Sequence, residues 1–144
     1  MIESDTIKLL RECDAGIKMG VTSICDVVDR VENPELKQLL HACKDEHDEL
    51  DKQLQQLLGR YGDEGKDPNF MAEKMAKFKT EIKWQMHEGD DTVADLMTDG
   101  CNMGVKSLSR YLNQYAAADE KSKDIAKRLI KLEAQLAADL RAFL

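Results

Sequence analysis

Three ionisable residues, Asp14, His47 and Glu133, occupy positions in helix-like patterns where an apolar residue is expected. A buried ionisable group without a partner is costly, so these three should pair with one another, with water or with an ion. Carboxylates with a histidine suit Zn, Fe or Mn, and the cores of helix bundles commonly hold such sites. The favoured interpretation is a hydrogen-bonded cluster that fixes the register of the helices. The alternative is a site for at most one transition-metal ion.

Two amphipathic helices in the first half of the chain would position Asp14 and His47. The first is predicted from about Ser4 or Asp5 to Val31, and Asn33 and Pro34 suit the N-cap and first position of the second. Their stripes step by three or four residues. The first stripe is Ile7, Leu10, Asp14, Ile17, Val21, Ile24, Val28 and Val31. The second is Leu36, Leu40, Cys43, His47, Leu50, Leu54 and Leu57. The short turn makes the two helices antiparallel neighbours.

The second half of the chain repeats this pattern. Residues 16–24 and 100–108 share five of nine positions, and both lie within long helical patterns. A helix from about Asp91 to Tyr115 or Ala116 and a last helix capped by Asp119 are predicted. The stripe of the last helix is Ala126, Leu129, Glu133, Leu136, Leu140 and Phe143. We therefore predict one all-α domain, residues 1–144, made of hairpins 4–58 and 91–144 and a crossover, 59–90, that carries an extra helix.

Two pairs of glycines lie in the middle of the predicted first and fourth helices. They are Gly16, Gly20, Gly100 and Gly104. Each costs about 1 kcal/mol relative to alanine in a helix, so a packing role should offset the loss. One interpretation is a close crossing of the first and fourth helices, and the other is room for a bulky neighbour such as Met19, Met103 or Trp84. A ligand that approaches the backbone is a third.

The predicted crossover helix carries more apolar surface than one bundle needs to cover it. The residues concerned are Phe70, Met71, Met75, Phe78, Ile82, Trp84 and Met86. Exposed apolar surface of this kind often marks an interface. The pattern predicts a homodimer that forms through the third helix and the face bearing Trp84.

Composition excludes several classes of function. The net charge of −7 disfavours nucleic acid and anionic membranes as partners, and no apolar run could span a membrane. The N-terminus does not resemble a secretory signal, which predicts a cytoplasmic protein. Four dispersed cysteines, Cys13, Cys25, Cys43 and Cys101, are interpreted as small buried apolar residues. No motif of hydrolases, phosphate loops or zinc proteases is present, so no catalytic residue is predicted.

Several stretches resemble bacterial ferritin-like domains of unknown function, which are related to stress-induced bundle proteins. They are Leu9 to Gly20, the run from Asn33-Pro34-Glu35-Leu36-Lys37 to Leu58, Trp84, and Tyr111-Leu112. The resemblance covers nearly the whole chain, but it consists of helix-packing patterns. It implies a four-helix bundle of two hairpins with one long crossover.

The ligand pattern of di-iron ferritins, by contrast, is incomplete here. That pattern needs Glu-x-x-His motifs, but Lys44 precedes His47 by three residues and Leu136 follows Glu133 by three. The resemblance therefore does not imply ferroxidase activity for this chain. Our first hypothesis is a bundle without a cofactor that acts by self-association or by binding a protein partner. The alternative is a degenerate metal-binding protein or oxidoreductase with one ion at Asp14, His47 and Glu133.

Overall fold

The computed structural model describes residues 2–66, 72–78 and 89–144, and the regular structure in these residues is helical. Helix α1 covers Ile2–Val28, α2 covers Pro34–Arg60, and α3 covers residues 72–78. Helix α4 covers Asp90–Gln114 and α5 covers Glu120–Leu140, which a 3-10 turn over Arg141–Phe143 follows. The predicted all-α class is confirmed.

Side-chain caps start α2 and α5 where the sequence predicts them. Oδ1 of Asn33 accepts hydrogen bonds from the backbone N–H groups of Glu35, at 2.8 Å, and Leu36, at 3.3 Å. Oδ1 of Asp119 accepts one from the N–H of Ser122 at 2.8 Å. Such caps satisfy N–H groups that have no partner inside the helix.

Hydrogen bonds at one end of the molecule place the start of α4 beside the start of α2. The Asp90 carboxylate accepts from the backbone N–H groups of Glu32, at 2.9 Å, and Asn33, at 2.8 Å. Gly89, just before α4, has φ +90°, which favours glycine. Helices α2 and α4 therefore start at the same end and run in the same direction.

The opposite end of the molecule joins the start of α1 to the start of α5. The N–H of Ala117 donates to Asp5 at 3.1 Å, and the N–H of Asp119 donates to Oγ1 of Thr6 at 2.8 Å. Helix α1 packs on α2 and α4 on α5, while α5 also contacts α1 and α2, and α1 contacts α4. The order around the core is α1, α2, α5, α4, with every neighbouring pair antiparallel.

Two apolar clusters fill the core, and one residue from each long helix lies between them. The first cluster includes Ile24, Leu40, Cys43, Cys101 and Leu136. The second includes Ile17, Leu50, Leu108 and Leu129. The residues between the two clusters are Gly20 in α1, His47 in α2, Gly104 in α4 and Glu133 in α5. We call these four residues the polar layer.

The predicted stripes largely match the buried residues. All seven stripe residues of α2 are buried, as are Ala126, Leu129, Glu133, Leu136 and Leu140 of α5. In α1, Ile7 and Val21 are only half-buried, whereas Leu9 and Val27 are buried although the predicted stripe omits them. Cys25 is exposed, so the prediction of a buried thiol is wrong there, because residue 25 lies on the outer side of α1.

Most of the predicted dimer surface lies outside the described residues. This applies to Phe70, Met71, Ile82, Trp84 and Met86. Met75 and Phe78 are half-buried, and Phe78 packs against the first cluster. Part of this apolar surface thus covers the core. Among the described residues, no helix combines the length and the apolar character needed to cross a membrane.

Candidate functional site

A hydrogen bond to the backbone of its own helix fixes the orientation of the His47 ring. Nδ1 of His47 lies 2.8 Å from the carbonyl oxygen of Cys43, one helical turn earlier. A carbonyl only accepts, so Nδ1 carries the proton and donates it. The ring is 1% exposed. Its other nitrogen, Nε2, is therefore the atom that the imidazole presents to the centre of the core.

Glu133 is the charged group that faces this nitrogen. Oε1 of Glu133 lies 3.9 Å from Nε2 of His47, which is too long for a direct hydrogen bond. Nε2 of His47 and Oε2 of Glu133 are both buried and have no hydrogen-bond partner among the described residues. Buried polar atoms almost always have a partner, so this pair is the clearest unsatisfied group in the described core.

Two glycines provide the space that the pair occupies. A Cβ added to Gly20 would lie 2.7 Å from Nε2 of His47, and one added to Gly104 would lie 2.8 Å from Cδ of Glu133. An alanine at either position would collide with the polar side chain. The space at Gly20 and Gly104 is thus filled from the neighbouring helix of the same hairpin. Met103, which was one predicted occupant, is 68% exposed.

The other two predicted glycines have different surroundings. A Cβ on Gly16 would lie 3.3 Å from Cδ2 of Leu129, which is a tight apolar contact with α5. A Cβ on Gly100 would meet no heavy atom of the described residues within 4 Å. The predicted crossing of α1 and α4 at the glycines is therefore not what Gly20, Gly100 or Gly104 accommodates.

Burial and mutual attraction act on the charges of the pair. Burial alone would lower the pKa of His47, but its contacts with Cys43 and Glu133 outweigh that effect and raise it above the ordinary value. Burial raises the pKa of Glu133, and the neighbouring His47 opposes part of this shift. Both directions favour the protonated form of each group, and because the two groups interact, they titrate as one coupled unit.

Asp14 does not join the pair, although the sequence placed it in the same layer. It is fully buried and accepts hydrogen bonds from Nζ of Lys18 at 2.8 Å, Nε2 of Gln55 at 3.1 Å and the N–H of Lys66 at 3.1 Å. Pairing the first two helices about their short turn predicts His47 level with Ile17, about one turn from Asp14, but the structure sets it opposite Gly20. Six residues of helix, about 9 Å, then separate Asp14 from the layer.

Two thiols border the pair and were not assigned to it from the sequence. Sγ of Cys43 lies 3.6 Å from Nδ1 of His47. Burial, with smaller contributions from Glu133 and Cys43, raises the pKa of Cys101 to about 12. Cys101 is therefore a neutral thiol at physiological pH. The spacing of four between Cys43 and His47 is the sequence signal that predicts their contact.

His47 and Glu133 together form the candidate site. Among the described residues, no group of three or more His, Cys, Asp and Glu side chains is arranged to hold a metal ion. The predicted trio of Asp14, His47 and Glu133 is thus reduced to His47 and Glu133.

Comparison with known proteins identifies no relative of this chain. The chain matches no protein-family model, no curated protein and no solved structure. The ferritin-like resemblance and the functions discussed below therefore depend on the residues and their geometry alone.

Proposed function

We propose that the chain is a ferritin-like four-helix bundle of two duplicated hairpins that binds one transition-metal ion between His47 and Glu133, without di-iron chemistry. The helix directions support the fold: α2 and α4 run in the same direction, as do the two helices that one long crossover joins in a ferritin-like bundle. The layer supports the duplication. Gly20 accommodates His47 in one hairpin, and Gly104 accommodates Glu133 in the other.

The observation that carries the metal proposal is the unsatisfied pair of ligand atoms. Nε2 of His47 and Oε1 of Glu133 are 3.9 Å apart. One ion can contact both atoms, because zinc bonds to imidazole nitrogen and carboxylate oxygen are each about 2.0–2.2 Å long. The hydrogen bond from Nδ1 to Cys43 is the second contact that commonly orients a metal-binding histidine. It leaves the Nε2 lone pair for the ion when the ring is neutral.

Imidazole and carboxylate together suit Zn²⁺, Fe²⁺ or Mn²⁺. Two protein ligands would leave further coordination positions for water, and Gly20 and Gly104 provide the space that the His47 and Glu133 side chains themselves occupy. An ion here would compete with the protons that His47 and Glu133 retain. The proposed function is therefore binding of a single ion in competition with protons.

Metal analysis tests the proposal directly. Protein purified without added metal, and the same protein after dialysis against Zn²⁺ or Co²⁺, should hold one ion per chain, and His47→Ala and Glu133→Ala should each abolish it. The matched control is His41→Ala, because His41 is an exposed histidine on the same helix. Circular dichroism should show that each variant is folded. Metal content that is unchanged by His47→Ala, or absent from the wild type at every metal concentration, contradicts the proposal.

A further inference from the structure

Helices α2 and α5 form the face of the molecule opposite α1 and α4, and a groove runs between them. The groove has two adjoining depressions, of about 600 Å³ and about 520 Å³. Apolar side chains form part of its floor: Leu57 and Ile125 in one depression, Leu50 and Leu132 in the other. The walls consist mainly of charged residues and glutamines.

Two contacts set the relative height of α2 and α5. His47 faces Glu133, and Nη1 of Arg128 donates to Oε1 of Gln53 at 2.8 Å. Because α2 and α5 are antiparallel, counting forward from His47 along α2 corresponds to counting backward from Glu133 along α5. Glu49 therefore lies level with Lys131. By the same step, Arg60 lies level with Glu120.

Charges on this face alternate in a diagonal pattern. Near the polar layer, the α2 wall is acidic and the α5 wall is basic. At the other depression, Arg60 of α2 lies beside an α5 wall that includes acidic residues. In the depression near the polar layer, the acidic residues of α2 are Asp45, Glu46 and Glu49, and they lie opposite Arg128 and Lys131 of α5. In the other depression, the acidic residues are Glu120 and Asp124 of α5, although Lys121 and Lys127 lie nearby.

This pattern is complementary to a second copy of itself. A two-fold axis parallel to the helices and in the plane of the face places α2 of one protomer against α5 of its partner, with heights unchanged. Glu49 of one protomer then faces Lys131 of the partner subunit, and Arg60 faces Glu120 of the partner subunit. Among the residues that the structure describes, Glu49 and Glu120 pair along their own helices, with Lys52 at 3.1 Å and Lys123 at 3.9 Å.

We propose that the α2–α5 face binds a second copy of this chain in a two-fold dimer whose axis is parallel to the helices. This surface is distinct from the third-helix surface that the sequence predicts, and the dimer does not depend on metal binding. Electrostatic complementarity sets the register, because sliding one protomer by two turns brings like charges together. The apolar floor contributes little exposed area, so the dimer is expected to be weak, with a dissociation constant of roughly 10–100 µM.

Charge reversal tests the face and the axis together. One variant carries Asp45→Lys and Glu49→Lys, and the other carries Arg128→Glu and Lys131→Glu. Each alone should raise the dissociation constant roughly tenfold or more, because like charges then face each other. An equimolar mixture of the two should form a heterodimer of wild-type affinity, since the reversed walls are again complementary about this axis.

The matched control for the first variant is Asp95→Lys with Asp99→Lys, which makes the same change of net charge on the exposed side of α4. It should dimerise like the wild type in sedimentation equilibrium, and circular dichroism should show every variant folded. The proposal is overturned if the wild type is monomeric at roughly 100 µM, a concentration at which weak surface contacts associate. It is also overturned if the reversals leave the affinity unchanged, or if mixing them does not restore the dimer.

Discussion

Nε2 of His47 and Oε1 of Glu133 lie 3.9 Å apart in the only break between the two apolar clusters of the described core. Each side chain extends over a glycine of the helix that precedes it in its own hairpin, Gly20 for His47 and Gly104 for Glu133. The position of each ionisable side chain thus depends on the glycine opposite it. A substitution of the glycine should therefore displace His47 or Glu133.

The first prediction concerns the energetic coupling of His47 and Glu133. Replacing only Glu133 with Leu leaves the buried imidazole without its counter-charge, so the free energy of unfolding should fall by about 3–5 kcal/mol. His47→Leu should cost a similar amount. The double variant should be neutral or more stable than the wild type, because well-packed apolar residues often replace a buried ion pair without loss. Chemical denaturation in the presence of a chelator measures all four proteins.

A double-mutant cycle supplies the criterion for this prediction. If the losses of the two single variants simply add in the double variant, His47 and Glu133 are not coupled. His41→Leu on the exposed side of α2 should stay within about 0.5 kcal/mol of the wild type and serves as the control.

The second prediction separates the glycines by what their surroundings can accept. Gly20→Ala and Gly104→Ala should destabilise by about 1–3 kcal/mol, because the added methyl group collides with His47 or Glu133. Gly100→Ala should instead stabilise by up to about 1 kcal/mol, since its Cβ meets no described atom and alanine favours the helix. Denaturant midpoints measure each change. Equal effects of all three substitutions would show that the glycines share one role.

The sequence predicts the helices well because burial follows a simple period. One face of each helix must enter the core, and a stripe that steps by three or four residues marks that face. Asn33 and Asp119 mark two helix starts for an equally local reason, the capping of free N–H groups. Even the polar interruptions of the stripes, such as His47, are correctly predicted as buried.

Relative heights between helices are less predictable, because they depend on packing across the whole core. An error of three residues in the level of His47 is enough to associate Asp14 with it wrongly. One hydrogen bond to Asp14 comes from the N–H of Lys66, in a loop far along the chain, and no periodicity within α1 predicts that contact. The role of Gly20 was missed for the same reason, since it depends on which residue of α2 lies opposite.

The third prediction concerns the attachment of the loop after α2 to α1. Nη2 of Arg11 donates to Oδ2 of Asp63 at 2.6 Å, Lys66 pairs with Glu12, and Asp14 accepts from the N–H of Lys66. Asp14→Ala removes the acceptor of this N–H and leaves Lys18 without its counter-charge. The amide hydrogen of Lys66 should then exchange faster, by roughly tenfold or more, since a lost hydrogen bond to a charged group is worth about 1.5–3 kcal/mol.

Hydrogen exchange read by NMR tests this attachment, with amides in the middle of α5 as internal references. Asp48→Ala is the matched control, because Asp48 also pairs with a lysine, Lys44, at 2.9 Å but lies on the outer side of α2. An unchanged exchange rate at Lys66 in Asp14→Ala would mean that other contacts hold the loop.

The last prediction is a pH dependence that arises at the start of α5. Asp119 accepts from the N–H of Ser122 at 2.8 Å and from the hydroxyl of Tyr61 at 3.2 Å. Burial alone would raise the pKa of Asp119, but the hydrogen bonds from Ser122 and Tyr61 outweigh it and lower the pKa. A carboxyl with a lowered folded pKa stabilises the fold above its unfolded pKa, about 3.9, and loses that contribution as pH falls through the folded value.

Asp119→Asn keeps a capping oxygen of similar strength but cannot titrate. The wild type should therefore lose more of its free energy of unfolding than Asp119→Asn as the pH is lowered below about 4, where Asp119 takes up its proton. Urea denaturation at a series of pH values measures both curves. Asp124→Asn removes the same charge one turn further along α5, at an exposed position outside the cap, and should leave the acid slope of the wild type unchanged. Parallel curves for the wild type and Asp119→Asn would show that the cap carries no proton-linked stability, because a lowered folded pKa requires the two curves to converge in acid.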